Sequence, residues 1–540
     1  MNSFNIHLTP PNWANTAPAA PHTAALKGQA YLDSNLIDQH TMLDQLTAAH
    51  NPEQTTALLK RLNGFYAWVS NTADELRAGV DHIRSRPLFY GQNEGRFYLS
   101  DDAEWVRQQV GDQIMDPLAR EEFQLAGYVT GSDTLFPNVK QLQAGEFLVA
   151  CVTDGNIEVE THRYYRFLHS EPSNYSESAL LTELEEVTLR SIQRLIDHAA
   201  GRQIVVPLSG GYDSRLIATF LKRLGYNNVV TFAYGIPGNK EAEYSRQVAY
   251  SLGFKWKFVE YSIESWRDAW RSAEADDYRK KAANHVSLPH IQDWLAIRQL
   301  IKTSTIENDA IVVPGHSGDF VAGSHIPDIA FTQSHHTKQD LLSEIIKNHL
   351  SNSPKAGMTF ENSSHLANRV QNRINNAFDG SSVALANLYE LWDWQERQAK
   401  YIVNSVRVYE QFGLNWWLPL WDYEFMKFWE DVPLALRRER FWYKNWVTTQ
   451  YAHNVEDQKS ANSLSNADDP SALRKVLIRI AKHLPKPAHN TLRQLWRRKL
   501  RPRHFLAFEG LTPESEIKKY LDKDFNIIGI YSDLFISKKW

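Results

Sequence analysis

Apolar residues recur along this chain with two different periods, and the change of period divides it. Over residues 30–150, short apolar runs alternate with turn signals, at 63–69, 81–90, 96–101, 127–129, 134–136 and 144–149. Runs of that length bounded by Gly, Pro, Asn and Asp predict strands in layered antiparallel sheets. Residues 1 to about 30 show little periodicity and predict an irregular lead-in or an edge strand. A hairpin-like stretch from 151 and a polar link over 169–178 close this part. Leu180, Leu181, Leu184, Val187, Ile192, Leu195 and Ile196 then fall at helical spacing, so 177–198 predicts a helix ended by Gly201.

The continuous apolar run 204–208 predicts a buried parallel strand. A glycine-rich turn, 209–214, follows at once, and Leu216, Ile217, Phe220, Leu221 and Leu224 predict a helix after it. The order repeats with a strand at 229–235, a charged helix at 241–252 and a strand at 256–261. This β-α-β-α-β order predicts a doubly wound parallel sheet, whose ligands sit at the carboxyl ends of the strands, where Ser209 and Gly235 fall. A fourth buried strand is expected at 310–313, one or two helices at 385–412, and polar, irregular chain at 325–380.

Composition narrows the class. A chain of 540 residues is expected to hold two or three domains, and 43% hydrophobic with 23% charged residues is ordinary for a globular protein. The net charge of −4 argues against a general affinity for nucleic acid. Cys151 is the one cysteine, which excludes a disulfide within the chain, and its place in a strand-like run reads as a core position. A reducing cytoplasm is the expected compartment. The first 21 residues lack the pattern of a signal peptide, and no stretch reaches the roughly 18 apolar residues of a transmembrane span. Residues 471–504 carry eleven Lys and Arg and no acid. A solvated helical face against an acidic neighbour and a peripheral contact with an anionic partner are both open for it.

The turn Ser209-Gly210-Gly211-Tyr212-Asp213-Ser214 carries the candidate chemistry. Bare backbone N–H groups converge there on a helix N-terminus, which favours an anion, and Ser209 and Ser214 add hydroxyls. Asp213 would repel a phosphate unless a divalent cation sits between them. The G-x-x-x-x-G-K-[ST] pattern is absent from this turn. The six residues resemble the pyrophosphate loop S-G-G-x-D-S of ATP pyrophosphatases, which split ATP between its α and β phosphates and transfer AMP.

Residues 30–450 as a whole resemble the asparagine synthase family. The resemblance implies a domain of the N-terminal-nucleophile hydrolase fold at 1–168, an α/β synthetase domain with a doubly wound sheet and pyrophosphate loop at 177–455, and a basic helical extension at 456–540. It implies ATP and Mg2+ as cofactors. Ser209, Gly210, Gly211 and Ser214 would cradle pyrophosphate, and the strand with Phe232 and Gly235 would hold adenine through its backbone. Pro314-Gly315-His316-Ser317-Gly318-Asp319 matches the family's Ser-Gly-Glu-Gly-Ser-Asp, so Gly315 joins the nucleotide site and Asp319 joins Asp213 as a magnesium ligand. His316 stands where asparagine synthases carry Glu. A neutral imidazole with its ordinary pKa of ~6.5 would suit removal of a proton from an attacking amine. Lys444 falls within one position of the family's charge-stabilising Lys.

Three departures bear on function. The family's nucleophilic Cys after the initiator Met is replaced by Asn2, so no glutaminase activity is expected and the first domain is expected to be a degenerate scaffold. The family's glutamine-binding Asn-Gly-Glu is not visible over 28–54. Asn415-Trp416-Trp417 replaces the Glu-Ala-Arg that precedes the family's Pro-Phe-Leu-Asp, here Pro419-Leu420-Trp421-Asp422. The resemblance therefore implies a cytoplasmic, ATP-dependent, AMP-forming carbon–nitrogen ligase that joins a small-molecule carboxylate to ammonia or another amine. The acid would be aspartate or, preferably, a sugar uronate of surface-polysaccharide synthesis. Intramolecular amide formation, as in β-lactam synthetases or peptide cyclases, and a non-catalytic scaffold remain the alternatives.

Overall fold

The computed structural model describes residues 3–10, 13–15, 23–352, 364–374, 377–455, 504, 506–512, 516, 520 and 525–538. Its first part is two antiparallel layers. One sheet runs, from edge to edge, Asn156–Arg163, Glu146–Thr153, Glu75–Val80, Leu62–Asn71, Thr23–Leu32 and Ala14–Asn15, with Asn35–Ile37 paired to Thr23–Leu32. The other orders Ser3–His7, Arg96–Ser100, Phe89–Asn93 and Lys140–Gln141, its first pair parallel. Strand alternation divides the side chains. Ala67, Val69, Leu148 and Ala150 meet Phe97 and Leu99 between the sheets. Tyr66, Trp68 and Phe147 face the larger core shared with the rest of the chain.

Several local expectations change here. Thr23–Leu32 is a ten-residue inner strand in register with the whole of Leu62–Asn71. Gly28 interrupts its pattern with φ +106, and a Cβ there would lie 2.0 Å from the Phe65 carbonyl oxygen. Residues 81–88 are a turn rather than a strand, because the Asp81 carboxylate accepts from the Tyr66, Ile83 and Ser85 backbone N–H groups. Residues 127–129 and 134–136 are likewise loop, following the helix Pro117–Ala126. Cys151 is half-buried on the sheet's surface, 3.9 Å from the Glu75 carboxylate, and not in the core. Burial pushes its thiol pKa upward. Asn2 and residues 471–503 lie outside the described residues.

The second part is a five-stranded parallel sheet in the order Lys255–Glu260, Val229–Gly235, Ile204–Pro207, Ile311–Val312 and Asn415–Trp416. The strand order reverses beside Ile204–Pro207, which is where a doubly wound sheet opens a crevice. The helix Glu177–Ala199 precedes this strand and Tyr212–Arg223 follows it. Residues 325–380 are not irregular throughout, since Lys338–His349 and Ser364–Arg373 are helices. From Ser382 to Gln411 the chain is helical without a break, with a π segment at Trp394–Ile402.

Asp422 clamps the two parts together. It accepts two bonds from the Arg194 guanidinium, at 2.6 and 2.7 Å, and one from Asn63 at 3.1 Å. It also caps the helix Tyr423–Glu430. Lys400 adds a second bridge, donating to the Gly131 carbonyl at 2.6 Å.

Candidate active site

The turn at 209–214 folds as a cradle. The Ser209 backbone N–H donates to Ser214 Oγ at 3.1 Å, the Gly211 N–H to Ser209 Oγ at 3.1 Å, and the two hydroxyls meet at 3.2 Å. Gly211 precedes the helix Tyr212–Arg223 and gives it no side-chain cap. Arg215 holds the Gly210 carbonyl from behind at 2.8 Å. Gly315 packs against the start of this helix, where a Cβ would lie 2.6 Å from the Ser214 nitrogen. The end of the fourth strand is thereby brought against the loop.

Asp213 and Asp319 come together across that contact. The Asp319 backbone N–H donates to Asp213 Oδ2 at 3.1 Å, and the Tyr443 hydroxyl donates to Oδ1 at 2.9 Å. Burial and then the neighbouring Asp319 charge push the Asp213 carboxyl up to about 7. Burial also opposes the Asp319 charge, but His325, 3.6 Å away, more than offsets it and the pKa falls. His325 itself loses by burial and gains from Asp393 at 2.5 Å and from Asp319, and rises to about 9. Two adjacent carboxylates, one of them destabilised by the other, are a donor set that a divalent cation relieves. Among the described residues no group of three or more His, Cys, Asp or Glu is placed to hold a metal ion. Two protein carboxylates leave positions for phosphate oxygens and water, which suits Mg2+.

A cavity of about 340 Å³ opens here, lined by Ser209, Gly211, Asp213, Ser214, Gly315, His316 and Asp319 among others. The His316 imidazole does not keep the ordinary pKa expected of it. Burial, then repulsion from His290, pushes its pKa down to about 4. Its Nε2 meets Ser405 Oγ at 2.9 Å, and its Nδ1 is buried without a hydrogen-bond partner.

Four expected residues, Gly210, Phe232, Gly235 and Lys444, stand apart from the cavity wall. Lys444 lies 5.7 Å over the Tyr212 ring, while Arg440 lines the cavity and acts electrostatically on both aspartates. Glu439 and Arg440 both have positive φ, at the irregular entry to the helix Phe441–His453. Phe232 is fully buried in the core, and Tyr234, two residues on and stacked on Tyr261, lines the cavity instead. Gly235 ends its strand, accepting from the Tyr261 N–H at 2.8 Å. Asn415, Trp416 and Trp417 line a separate cleft of about 550 Å³ between the two parts, where Arg86 stacks on Trp416 at 4.7 Å.

Sequence reasoning missed Tyr443, Arg440, Tyr409, His290 and Asp293. Tyr443 adjoins Lys444 and was within reach of the motif; His290 and Asp293 carry no periodic signal. His336, by contrast, is a buried residue bonded to Ser382 at 3.2 Å.

A glycine-rich loop at a helix N-terminus, beside two acids and at the switch point of a parallel sheet, has the form of a nucleotide-phosphate site. Residues 183–459 match the family described as asparagine synthase, and residues 45–165 the one described as glutamine amidotransferase domain. The chain belongs to the asparagine synthase family. No curated protein matches it. Among solved structures it is similar to an NH3-dependent NAD synthetase from Campylobacter jejuni, at 20% identity over 28% of this chain and 61% of that one, with a TM-score of 0.19. It is also similar to a glutamine phosphoribosylpyrophosphate amidotransferase from B. subtilis, at 12% identity over 57% of this chain and 64% of that one, again at 0.19. The chain thus spans about six tenths of the length of these structures, and the scores are too low to bear on its site. No helix among the described residues is long and apolar enough to cross a membrane.

Proposed function

We propose that this chain is an ATP-dependent, AMP-forming ligase that joins a carboxylate to ammonia or another amine. One observation carries the reading: the Asp319 backbone N–H donates to the Asp213 carboxylate at 3.1 Å, which sets both acids beside the 209–214 cradle on the wall of a cavity large enough for a nucleotide's phosphates. Ser209, Gly210, Gly211 and Ser214 hold the β and γ phosphates, with Gly315 closing the cradle. Asp213 and Asp319 would hold Mg2+, which neutralises charge between them and the phosphates when bound.

The substrate carboxylate attacks the α phosphorus, the bond to pyrophosphate breaks, and an acyl-adenylate forms. Arg440, in the place expected of Lys444, steadies the phosphate charge that develops. His316 lines the cavity beside the acyl group, its Nε2 held by Ser405. The amine then displaces AMP. A sugar uronate is our preferred acid, with aspartate the other, because His316 on the cavity wall stands where asparagine synthases carry Glu. With Asn2 at the second position, the first part serves as a scaffold without glutaminase chemistry.

Substrate labelled with 18O in its carboxylate tests the route. One labelled oxygen is expected in AMP. Label retained wholly in the product, or release of ADP in place of AMP, contradicts it.

A further inference from the structure

The cavity beside the loop holds a second set of titratable side chains that adenylation does not use. His290 and Asp293 lie between the helices Ala273–Ala283 and Trp294–Lys302, and both line the cavity with Asp213, Asp319 and His316. Asp293 is the buried member, its side chain 4% exposed, whereas His290 is 21% exposed. His290 Nε2 lies at ion-pair distance, 3.3 Å, from Asp293 Oδ1, which has no hydrogen-bond partner of its own among the described residues, and the Tyr409 hydroxyl donates to Asp293 Oδ2 at 2.7 Å. Burial works against the Asp293 charge, but His290 and Tyr409 hold its carboxyl below the usual range.

The segment is pinned by two further hydroxyls. Tyr278 donates to the His290 carbonyl at 2.6 Å and Tyr261 to the Gln292 carbonyl at 2.8 Å. An ionised carboxylate beside one ring nitrogen favours the tautomer that carries the proton on that nitrogen. With Asp293 at Nε2, the lone pair of His290 falls on Nδ1. This is the base-and-orienter arrangement that proton abstraction needs. His316 is built the other way: Ser405 occupies Nε2, and Nδ1 is enclosed.

We propose that His290, oriented by Asp293, takes the proton from the amine that attacks the acyl-adenylate. The proposal rests on the ligase reading above. The amine nitrogen's lone pair forms the C–N bond, the C–O bond to the phosphate breaks, and AMP leaves with that electron pair. The proton leaves nitrogen for His290 Nδ1 and passes from there to solvent. Asp293 is a positioning residue, and His316 stays a hydrogen-bonding group.

The test compares the full chain with its His290→Gln and Asp293→Asn variants. Two rates are read: carboxylate-dependent exchange of pyrophosphate into ATP across aspartate, glutamate and nucleotide-linked uronates, and amide formation with ammonium. General-base assistance contributes about 10²–10⁴-fold. The ratio of amide formation to exchange is therefore expected to fall by about 100-fold or more in His290→Gln and to recover with added imidazole. In Asp293→Asn the ratio falls less, and imidazole does not restore it. Exchange that persists in His290→Gln with an unchanged ratio overturns the proposal alone. No exchange by the unaltered chain with any acid of the panel overturns the ligase reading, and the proposal with it.

A substrate-free readout covers a variant that folds poorly. In the unaltered chain, diethyl pyrocarbonate should acylate His290 well before His316, as mapped by mass spectrometry. Reaction at His316 with His290 untouched overturns the proposal.

Discussion

Gly315→Ala isolates the close approach that joins the fourth strand to the phosphate cradle. An alanine Cβ would lie 2.6 Å from the Ser214 backbone nitrogen, 3.0 Å from its Cα and 3.1 Å from its Cβ. Ordinary contact begins at 3.4 Å, so strand end and helix must part by several tenths of an ångström. The atoms in the way are mostly backbone, which has little room to give. The Gly315 φ lies outside the left-handed region, so space alone excludes the side chain. Overpacking of this kind costs about 1–3 kcal/mol. The Ser214 N–H is among the first-turn donors that a phosphate would use, and the new methyl group would stand over it. At 1.4 kcal/mol per factor of ten, MgATP should bind about 10- to 100-fold more weakly. Calorimetric titration measures the affinity, and a thermal melt on the same sample separates lost binding from lost fold. Affinity within twofold of the unaltered chain, with an unchanged melting temperature, would refute the reasoning.

Other expectations follow from buried charge. Asp422→Asn leaves Arg194, 5% exposed, with only Glu424 at 3.0 Å as a carboxylate partner. Removing one member of such a pair costs about 3–5 kcal/mol, so urea should unfold the variant at a clearly lower concentration; a loss under about 1 kcal/mol contradicts the clamp. His349 is pushed down from 6.5 to about 3 by burial and bonds the Tyr389 hydroxyl at 2.9 Å. Between those values the unfolded chain takes up a proton that the folded chain refuses. Its contribution is therefore full above about pH 6.5 and is lost as pH falls toward 3. His349→Gln should flatten the decline of the unfolding midpoint between pH 7 and 4, and an unaltered slope would show that other groups govern it. Arg440→Gln should weaken MgATP binding more than Lys444→Gln does, because Arg440 lines the cavity and Lys444 packs on Tyr212; the reverse order in a titration would restore Lys444 to the role first expected of it.

The parallel sheet was legible at Ile204–Pro207, Val229–Gly235 and Ile311–Val312, where apolar runs meet helices, whereas the two-residue strand Asn415–Trp416 carries no such run. The run at 229–235 is the strand Val229–Gly235, and the expected helix 177–198 is Glu177–Ala199. Thr23–Leu32 was hidden by Gly28, whose positive φ serves a close backbone approach rather than a turn. The turn at Asp81 resembled a strand because its apolar neighbours Ile83 and Leu88 are buried, while the Asp81 carboxylate does the folding. Loop residues 209–214 and 315–319 could be placed from sequence since each sits directly after a strand. Arg440 could not, since the resemblance pointed to Lys444 and nothing in the sequence marks the positive φ of Glu439 and Arg440. His290 and Asp293 come from a loop far from either motif, and only the fold brings them to the cavity.

The most direct test of the account is exchange of labelled pyrophosphate into ATP in the presence of single carboxylic acids, with Asp213→Asn beside the unaltered chain. The account predicts exchange that requires one class of acid, requires Mg2+ and is lost in the variant. Exchange that proceeds equally in Asp213→Asn, or that needs no acid, would contradict it.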